Sequence, residues 1–226
     1  MTTAEGISAQ KCPVTAIDIV LEPDRRMADQ AQMANAVLLK NFPKGFALDD
    51  THHPHVSVFA GFVPTADLPK VYAAAGEVLA KEKYTTWKLT AFEYYYIPLG
   101  PVGLAGIVIR PTPDLLRLQQ ELIDTVVHYT VKTATAAAFY TTPAEPDINP
   151  AVIEAVAAFF DHDVGENFSP HVTAGLGTKA FLDDLLAKPF SAFTFSPASA
   201  AVFQFGDYGT ARKRLRALPP KNEFAG

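Results

Sequence analysis

The sequence contains two short segments that resemble each other, HPHVS at residues 53–57 and SPHVT at residues 169–173. Each has a proline, a histidine, a valine and a hydroxyl side chain in the same order. Residues two apart on a β-strand share a face, so the histidine and the hydroxyl of each segment are expected to point the same way. Because His55 and His171 lie in opposite halves of the chain, the sequence predicts two related halves that share one cleft.

The segments around these histidines follow one order twice: strand, helix, histidine strand, helix, strand. A strand predicted over 15–22 ends at Pro23, and a strand predicted over 103–110 ends at Pro111. The second half also contains an insertion over 139–160, a proline-rich loop followed by a short helix. This order predicts an α+β fold that is bilobed, with duplicated strand–helix–strand modules, two mainly antiparallel sheets facing a central cleft, and helices outside.

The domain organisation predicted from these patterns is simple. Residues 1–13 are a leader predicted to be flexible, and residues 14–226 form a single bilobed domain with repeat halves at about 14–100 and 101–226. The single cysteine, Cys12, excludes an intramolecular disulfide. No apolar run approaches the roughly 20 residues that span a bilayer, and the leader lacks the apolar centre of a secretory signal. A cytoplasmic protein is therefore expected, with a removed signal peptide left open.

Composition and charge limit the possible partners. The chain has 226 residues, 19% of them charged, and a formal net charge of −5. This balance gives no general attraction to nucleic acid, so any RNA contact is predicted to be local. DNA and membranes are not expected as partners, and a monomer is expected. A basic cluster near the end, either a solvated face or a phosphate contact, comprises Arg212, Lys213, Arg214 and Arg216.

Two histidines and two hydroxyls in one cleft suit the hydrolysis of a cyclic phosphodiester. One imidazole can take a proton from the attacking water while the other gives one to the leaving oxygen, since the ordinary pKa of histidine is about 6.5. The hydroxyls of Ser57 and Thr173 can donate hydrogen bonds to the phosphoryl oxygens. This scheme requires no metal and no other cofactor.

The paired H-x-[ST] strands resemble the 2H phosphoesterase superfamily, in particular its 2′-5′ RNA ligase and cyclic phosphodiesterase branch. The resemblance extends from about Val14 and includes FGDYGTARK at 205–213, which is similar to the final strand and turn of bacterial members. Some members have a basic residue after the second motif, whereas this chain has Ala174. A cationic phosphate contact would therefore have to come from elsewhere in the chain.

What the resemblance implies about the site is specific. His55 and His171 would be the catalytic pair, and Ser57 and Thr173 the phosphate-binding residues. The residues alone do not decide which histidine is the base. The resemblance favours His171 as the base that activates water and His55 as the acid that protonates the leaving oxygen.

Several other side chains are candidates for substrate or metal binding. Phe59, on the predicted face of the first motif, and Tyr208, in the closing turn, are weaker predictions for substrate contacts, and the run Tyr94–Tyr96 is either sheet core or a base-stacking platform. His52 and His53 raise the alternative of a metal site with His55, completed by His162 and Asp163. Their spacing does not match an established metal motif, so no metal site is predicted.

Together these patterns predict a metal-independent phosphoesterase that hydrolyses 2′,3′-cyclic phosphates of nucleotides or RNA ends. The reverse reaction, ligation at a 2′-5′ linkage, stays open. The expected partner is accordingly a nucleotide or RNA end carrying a cyclic phosphate. Two alternatives remain: a non-catalytic module that binds RNA or nucleotides in the same cleft, and a metal-dependent phosphodiesterase.

Overall fold

The computed structural model describes residues 13–218; the predictions for most of the leader, including Cys12, and for residues after 218 lie outside this range. The strands are β1 (Val14–Pro23), β2 (Val56–Pro64), β3 (Leu89–Leu99), β4 (Val102–Ile109), β5 (His171–Thr178), β6 (Phe193–Phe195), β7 (Pro197–Phe205) and β8 (Ala211–Leu218). The helices are α1 (Arg25–Asn41), α2 (Leu68–Leu79), α3 (Pro113–Val126), α4 (Pro150–Ala157), α5 (Phe159–His162) and α6 (Lys179–Leu186). Within residues 13–218, no helix combines the length and the apolar character needed to cross a membrane.

The strands form two four-stranded antiparallel sheets with matching orders, β2-β1-β7-β8 and β5-β4-β3-β6. The histidine strands β2 and β5 occupy the same edge position in the two sheets, beside β1 and β4. The third strand of each sheet comes from the other half of the chain. In the first sheet β7 from the second half pairs with β1, and in the second sheet β3 from the first half pairs with β4. The α+β bilobed prediction is confirmed, and each sheet contains strands from both predicted repeat halves.

Helices from one half of the chain likewise pack against a sheet edge strand from the other half. Helix α1, which comes directly after β1, packs against β5 of the other sheet, and α3, which follows β4, packs against β2. Helix α6 also covers the second sheet, and α2 packs against α3 and β8. Each histidine strand is therefore supported by a helix from the opposite half of the chain.

Helix α1 shows how a buried polar residue can fix this packing. Asp24 caps the helix, its carboxylate accepting from the backbone N–H of Met27 at 3.2 Å. The buried face includes Asn35, whose amide donates to the backbone oxygens of Phe46 at 2.9 Å and Ala174 at 2.8 Å. Its side-chain oxygen accepts from the N–H of Leu48 at 3.0 Å. One side chain thus ties α1, residues 46–48 and β5 together.

Three predictions from local sequence patterns are wrong: a short strand around residues 46–48, an N-cap at Asp114 and a sheet that finishes at residue 205. Residues 46–48 do not form a strand, because the Asn35 amide takes the backbone bonds that a strand partner would make. The N-cap of α3 is Thr112, whose hydroxyl accepts from the N–H of Leu115 at 3.2 Å, rather than Asp114. The sheet also continues past residue 205 into the edge strand β8, whose run of basic residues does not show the alternation typical of a strand.

Candidate active site

The first histidine strand contains a β-bulge directly after its hydroxyl residue. Ser57 pairs with Val20 and Phe59 pairs with Ile19, which leaves Val58 as the extra residue. A bulge interrupts the alternation of side chains and turns the following residues to the other face. Side chains beyond Ser57 are therefore displaced by one position from the predicted pattern.

The second histidine strand has the same bulge at the same place. Thr173 pairs with Gly106 and Gly175 pairs with Ala105, leaving Ala174 unpaired in the ladder. Gly175 has a φ of +136°, which a residue with a Cβ rarely adopts, and Asn35 binds the carbonyl of the bulged residue. The two motifs thus match in local backbone geometry as well as in residue type.

The prediction that Phe59 contacts the substrate is wrong. Its side chain is 0% exposed and packs against Phe159 and Phe160, with ring centroids 5.9 and 5.6 Å away. Because the bulge at Val58 shifts the alternation, Ala60 lines the cleft in its place.

Both motifs open onto one cleft. His55, Ser57, His171 and Thr173 line it together, and its volume is about 270 Å³. Tyr208 lines it as well. The predicted site residues therefore come together in space, with the exception of Phe59.

The environment of His55 is fixed by a backbone carbonyl and a buried carboxylate. Its Nδ1 lies 2.7 Å from the backbone oxygen of His53, and its Nε2 lies 3.3 Å from Oδ2 of Asp18. The same Asp18 oxygen accepts a hydrogen bond from the Ser57 hydroxyl at 2.8 Å. Asp18 is 0% exposed, and its Oδ1 has no hydrogen-bond partner within residues 13–218. Sequence analysis missed this residue.

His171 has a backbone carbonyl at Nδ1, as His55 does, but no carboxylate pairs with it among the described residues. Its Nδ1 lies 2.8 Å from the backbone oxygen of Ser169, and the edge of the ring contacts Tyr95 at a centroid distance of 4.9 Å. A carbonyl oxygen can only accept, so Nδ1 of each histidine carries the hydrogen. Nε2 is therefore the atom that gains or loses a proton.

The pKa values of the two imidazoles are shifted in opposite directions. Burial lowers the pKa of His171, and the nearby His55 lowers it further, while the Ser169 carbonyl offsets only part of this. Burial also acts against the charged form of His55, but the Asp18 carboxylate outweighs it and raises the pKa of His55. Burial raises the pKa of Asp18 as well, against the influence of His55 and Ser57. These shifts favour a proton on the His55–Asp18 pair and a neutral His171.

The two hydroxyls are also in different states. The Ser57 hydroxyl donates its hydrogen to Asp18. It can therefore only accept a hydrogen bond from a group in the cleft, unless it rotates away from Asp18. Thr173 is 7% exposed, lines the cleft, and makes no hydrogen bond through its side chain within residues 13–218. Thr173 is thus the hydroxyl that is ready to donate to a bound anion.

Tyr208 reaches the cleft from a short turn, Asp207–Gly209, in which it adopts a φ of +56°. Its ring stacks on Phe46 at 6.0 Å, and Asp207 accepts from the backbone N–H of Asn149 at 2.8 Å. The predicted substrate contact at Tyr208 is consistent with this position and stays a prediction.

The tyrosine run is divided among three neighbours. Tyr94 packs against Phe190 at 4.9 Å, and Tyr96 donates to Asp183 at 2.6 Å. Tyr95 supports His171, and burial raises its pKa. The run is therefore part of the sheet packing, and its middle member supports the site.

Of the remaining histidine and basic candidates, Arg212 and Arg214 form ion pairs, and His52 lies beside Arg212. His52 contacts Arg212 at 2.7 Å and Glu145 at 3.4 Å, and burial together with the Arg212 charge lowers the pKa of His52 to about 4. Arg212 also pairs with Glu145, and Arg214 with Glu22. Among residues 13–218, no three side chains of the metal-ligating types converge.

Comparisons with known proteins place this geometry in a known fold. No protein-family model and no curated protein matches the chain. The structure of TT0787 from Thermus thermophilus matches 92% of this chain and 100% of its own, with 15% identity and a TM-score of 0.52. The structure of E. coli LigT complexed with 3′-AMP matches 92% of this chain and 98% of its own, with 13% identity and a TM-score of 0.50. The chain therefore has the same fold as the TT0787 and LigT structures.

Proposed function

We propose that this protein is a 2H phosphoesterase that hydrolyses 2′,3′-cyclic phosphates of nucleotides or RNA ends by acid–base catalysis between His55 and His171. The observation that carries the proposal is the pair of equivalent bulged strands, which direct one imidazole and one hydroxyl each to the same cleft. The matched LigT structure is a complex with 3′-AMP, which supports a nucleotide as the ligand.

In the proposed reaction His171 is the base and His55 the acid. Nε2 of His171 takes a proton from a water molecule while the oxygen of that water forms a bond to phosphorus. The bond from phosphorus to one ribose oxygen breaks, and that oxygen takes the proton from Nε2 of His55. The product is a phosphomonoester with a free neighbouring hydroxyl.

The opposite pKa shifts support this order of roles. The required state has a neutral His171 and a protonated His55, and the lowered pKa of the first and the raised pKa of the second both favour this state. The reverse assignment would require a protonated His171 and a neutral His55, which both shifts disfavour. Thr173 and a rotated Ser57 donate to the phosphoryl oxygens as negative charge develops on them.

The direct test is turnover of a nucleoside 2′,3′-cyclic phosphate by the full chain, with products separated by chromatography. His55→Ala and His171→Ala are each expected to lose at least about a hundredfold in kcat, because each removes one positioned proton transfer. His128→Ala, which alters an exposed histidine outside the cleft, is the matched control. A chelator is expected to leave turnover unchanged.

The main alternative is a non-catalytic module that binds nucleotides in the same cleft. It predicts that the wild-type chain binds the cyclic phosphate with no turnover at any pH. Loss of turnover after chelation would instead favour a metal-dependent phosphodiesterase.

A further inference from the structure

The insertion in the second half of the chain forms one wall of the cleft, and this wall is apolar. Side chains from α4 and α5 that line it are Ala151, Val152, Ala155, Val156 and Phe159. The wall is anchored at the N-terminal end of α4: Asn149 caps the helix at the N–H of Ala151, and its own N–H donates to Asp207 in the turn that carries Tyr208. Leu99 and Leu104, from β3 and β4, also line the cleft.

Apart from a protonated His55, the residues that line the cleft contribute almost no positive charge. Within residues 13–218, no lysine or arginine side chain lines it, and Asp163 adds a carboxylate. Two arginines of the basic cluster are neutralised, Arg212 by Glu145 and Arg214 by Glu22. Proteins that follow a nucleic acid strand do so with cationic grooves, which this cleft does not supply.

We propose, resting on the phosphoesterase function above, that the substrate is a small molecule with a single cyclic phosphate and an otherwise uncharged body. The phosphate lies between His55 and His171, and a nucleobase or similar apolar body packs on the α4–α5 wall. The volume of about 270 Å³ is slightly below the range of typical small-ligand sites, which fits an occupant of mononucleotide size. RNA chains are poor ligands, because their second and third phosphates would meet apolar side chains and Asp163.

Binding to the full-length His171→Ala variant, which prevents turnover during the measurement, tests this. The three probes are a nucleoside 2′,3′-cyclic phosphate, a tetranucleotide with a 2′,3′-cyclic end, and glycerol 1,2-cyclic phosphate. We expect the nucleoside probe to bind at least about tenfold more tightly than either of the others. Its affinity is expected to fall only about threefold between 50 and 200 mM salt, as for one phosphate contact.

A charge variant tests the cause of this preference. Ala155→Lys, at an exposed position on α4, is expected to increase tetranucleotide affinity several-fold, whereas Ala155→Met adds comparable length without charge and is expected not to. Tighter binding of the tetranucleotide than of the mononucleotide, with a steep salt dependence, would overturn the proposal. So would glycerol 1,2-cyclic phosphate binding as tightly as the nucleoside probe. The predicted binding order without wild-type turnover would support the substrate class and contradict the phosphoesterase function alone.

Discussion

Replacing Asp18 by asparagine tests whether a buried carboxylate sets the role of His55. The amide keeps the size of the side chain and can still accept from Ser57, but it removes the charge 3.3 Å from Nε2 of His55. At that distance, with an effective dielectric constant of about 20, the lost attraction to an imidazolium is about 5 kcal/mol. The release of a buried carboxylate offsets part of this amount.

The expected result is a change in pH dependence rather than a uniform loss. His55 has a raised pKa, so its proton is present below that pKa and lost above it. Without Asp18 the pKa of His55 falls, and the basic limb of the kcat/KM profile moves to lower pH. We expect a loss of about a hundredfold near pH 8 and a clearly smaller loss near pH 6.

The assay is kcat/KM for a nucleoside 2′,3′-cyclic phosphate between pH 5.5 and 9, with circular dichroism to verify folding. Asp183→Asn, which removes an exposed carboxylate outside the cleft, is the matched control and is expected to leave both limbs in place. An equal loss at every pH, with unmoved limbs, would refute the reasoning and reduce Asp18 to a structural role.

Three further substitutions test the site and its support. Thr173→Val removes the hydroxyl that is free to donate, and kcat is expected to fall tenfold to a hundredfold, or about 1.4–2.7 kcal/mol in steady-state kinetics, with both pH limbs kept; an unchanged kcat would contradict phosphate binding there. Asn35→Ala removes three buried hydrogen bonds and is expected to lower the free energy of unfolding by about 3 kcal/mol in urea titrations, whereas a loss near zero would show that the amide is dispensable. Gly175→Ala would place a Cβ 2.7 Å from the Asn35 amide nitrogen at a φ of +136°, and we expect a loss of about 2 kcal/mol in the same assay; full stability would mean that the bulge adapts.

The two histidine motifs could be predicted from sequence because their signal is local. In the order proline, histidine, valine, hydroxyl, the histidine and the hydroxyl are two residues apart and share a face of a strand. Two copies of this motif, one in each half of the chain, predict a shared cleft. The structure brings His55, His171, Ser57 and Thr173 to that cleft.

The bulges and the exchange of strands could not be predicted in the same way. Val58 and Ala174 are ordinary strand residues, and only their pairing partners reveal that each is an extra residue. Phe59 was assigned to the wrong face for this reason. The exchange of β3 and β7 depends likewise on long-range pairing, which a local pattern of alternation does not specify.

Asp18 was missed because its sequence context is misleading. In TAIDIVLE it occupies the polar position of an alternating strand, where a solvent-exposed side chain is the usual outcome. Its strand lies between β2 and β7, and the carboxylate is enclosed against His55 and Ser57. An acidic residue on the strand beside a histidine motif is the signal that could have identified it.

The most direct test of acid–base catalysis by two histidines is the pH dependence of kcat/KM for a nucleoside 2′,3′-cyclic phosphate. We predict a bell-shaped profile, with an acidic limb from His171, which must be neutral, and a basic limb from His55, which must be protonated. A rate that rises monotonically from about pH 5 to about pH 9 would contradict the two-histidine mechanism.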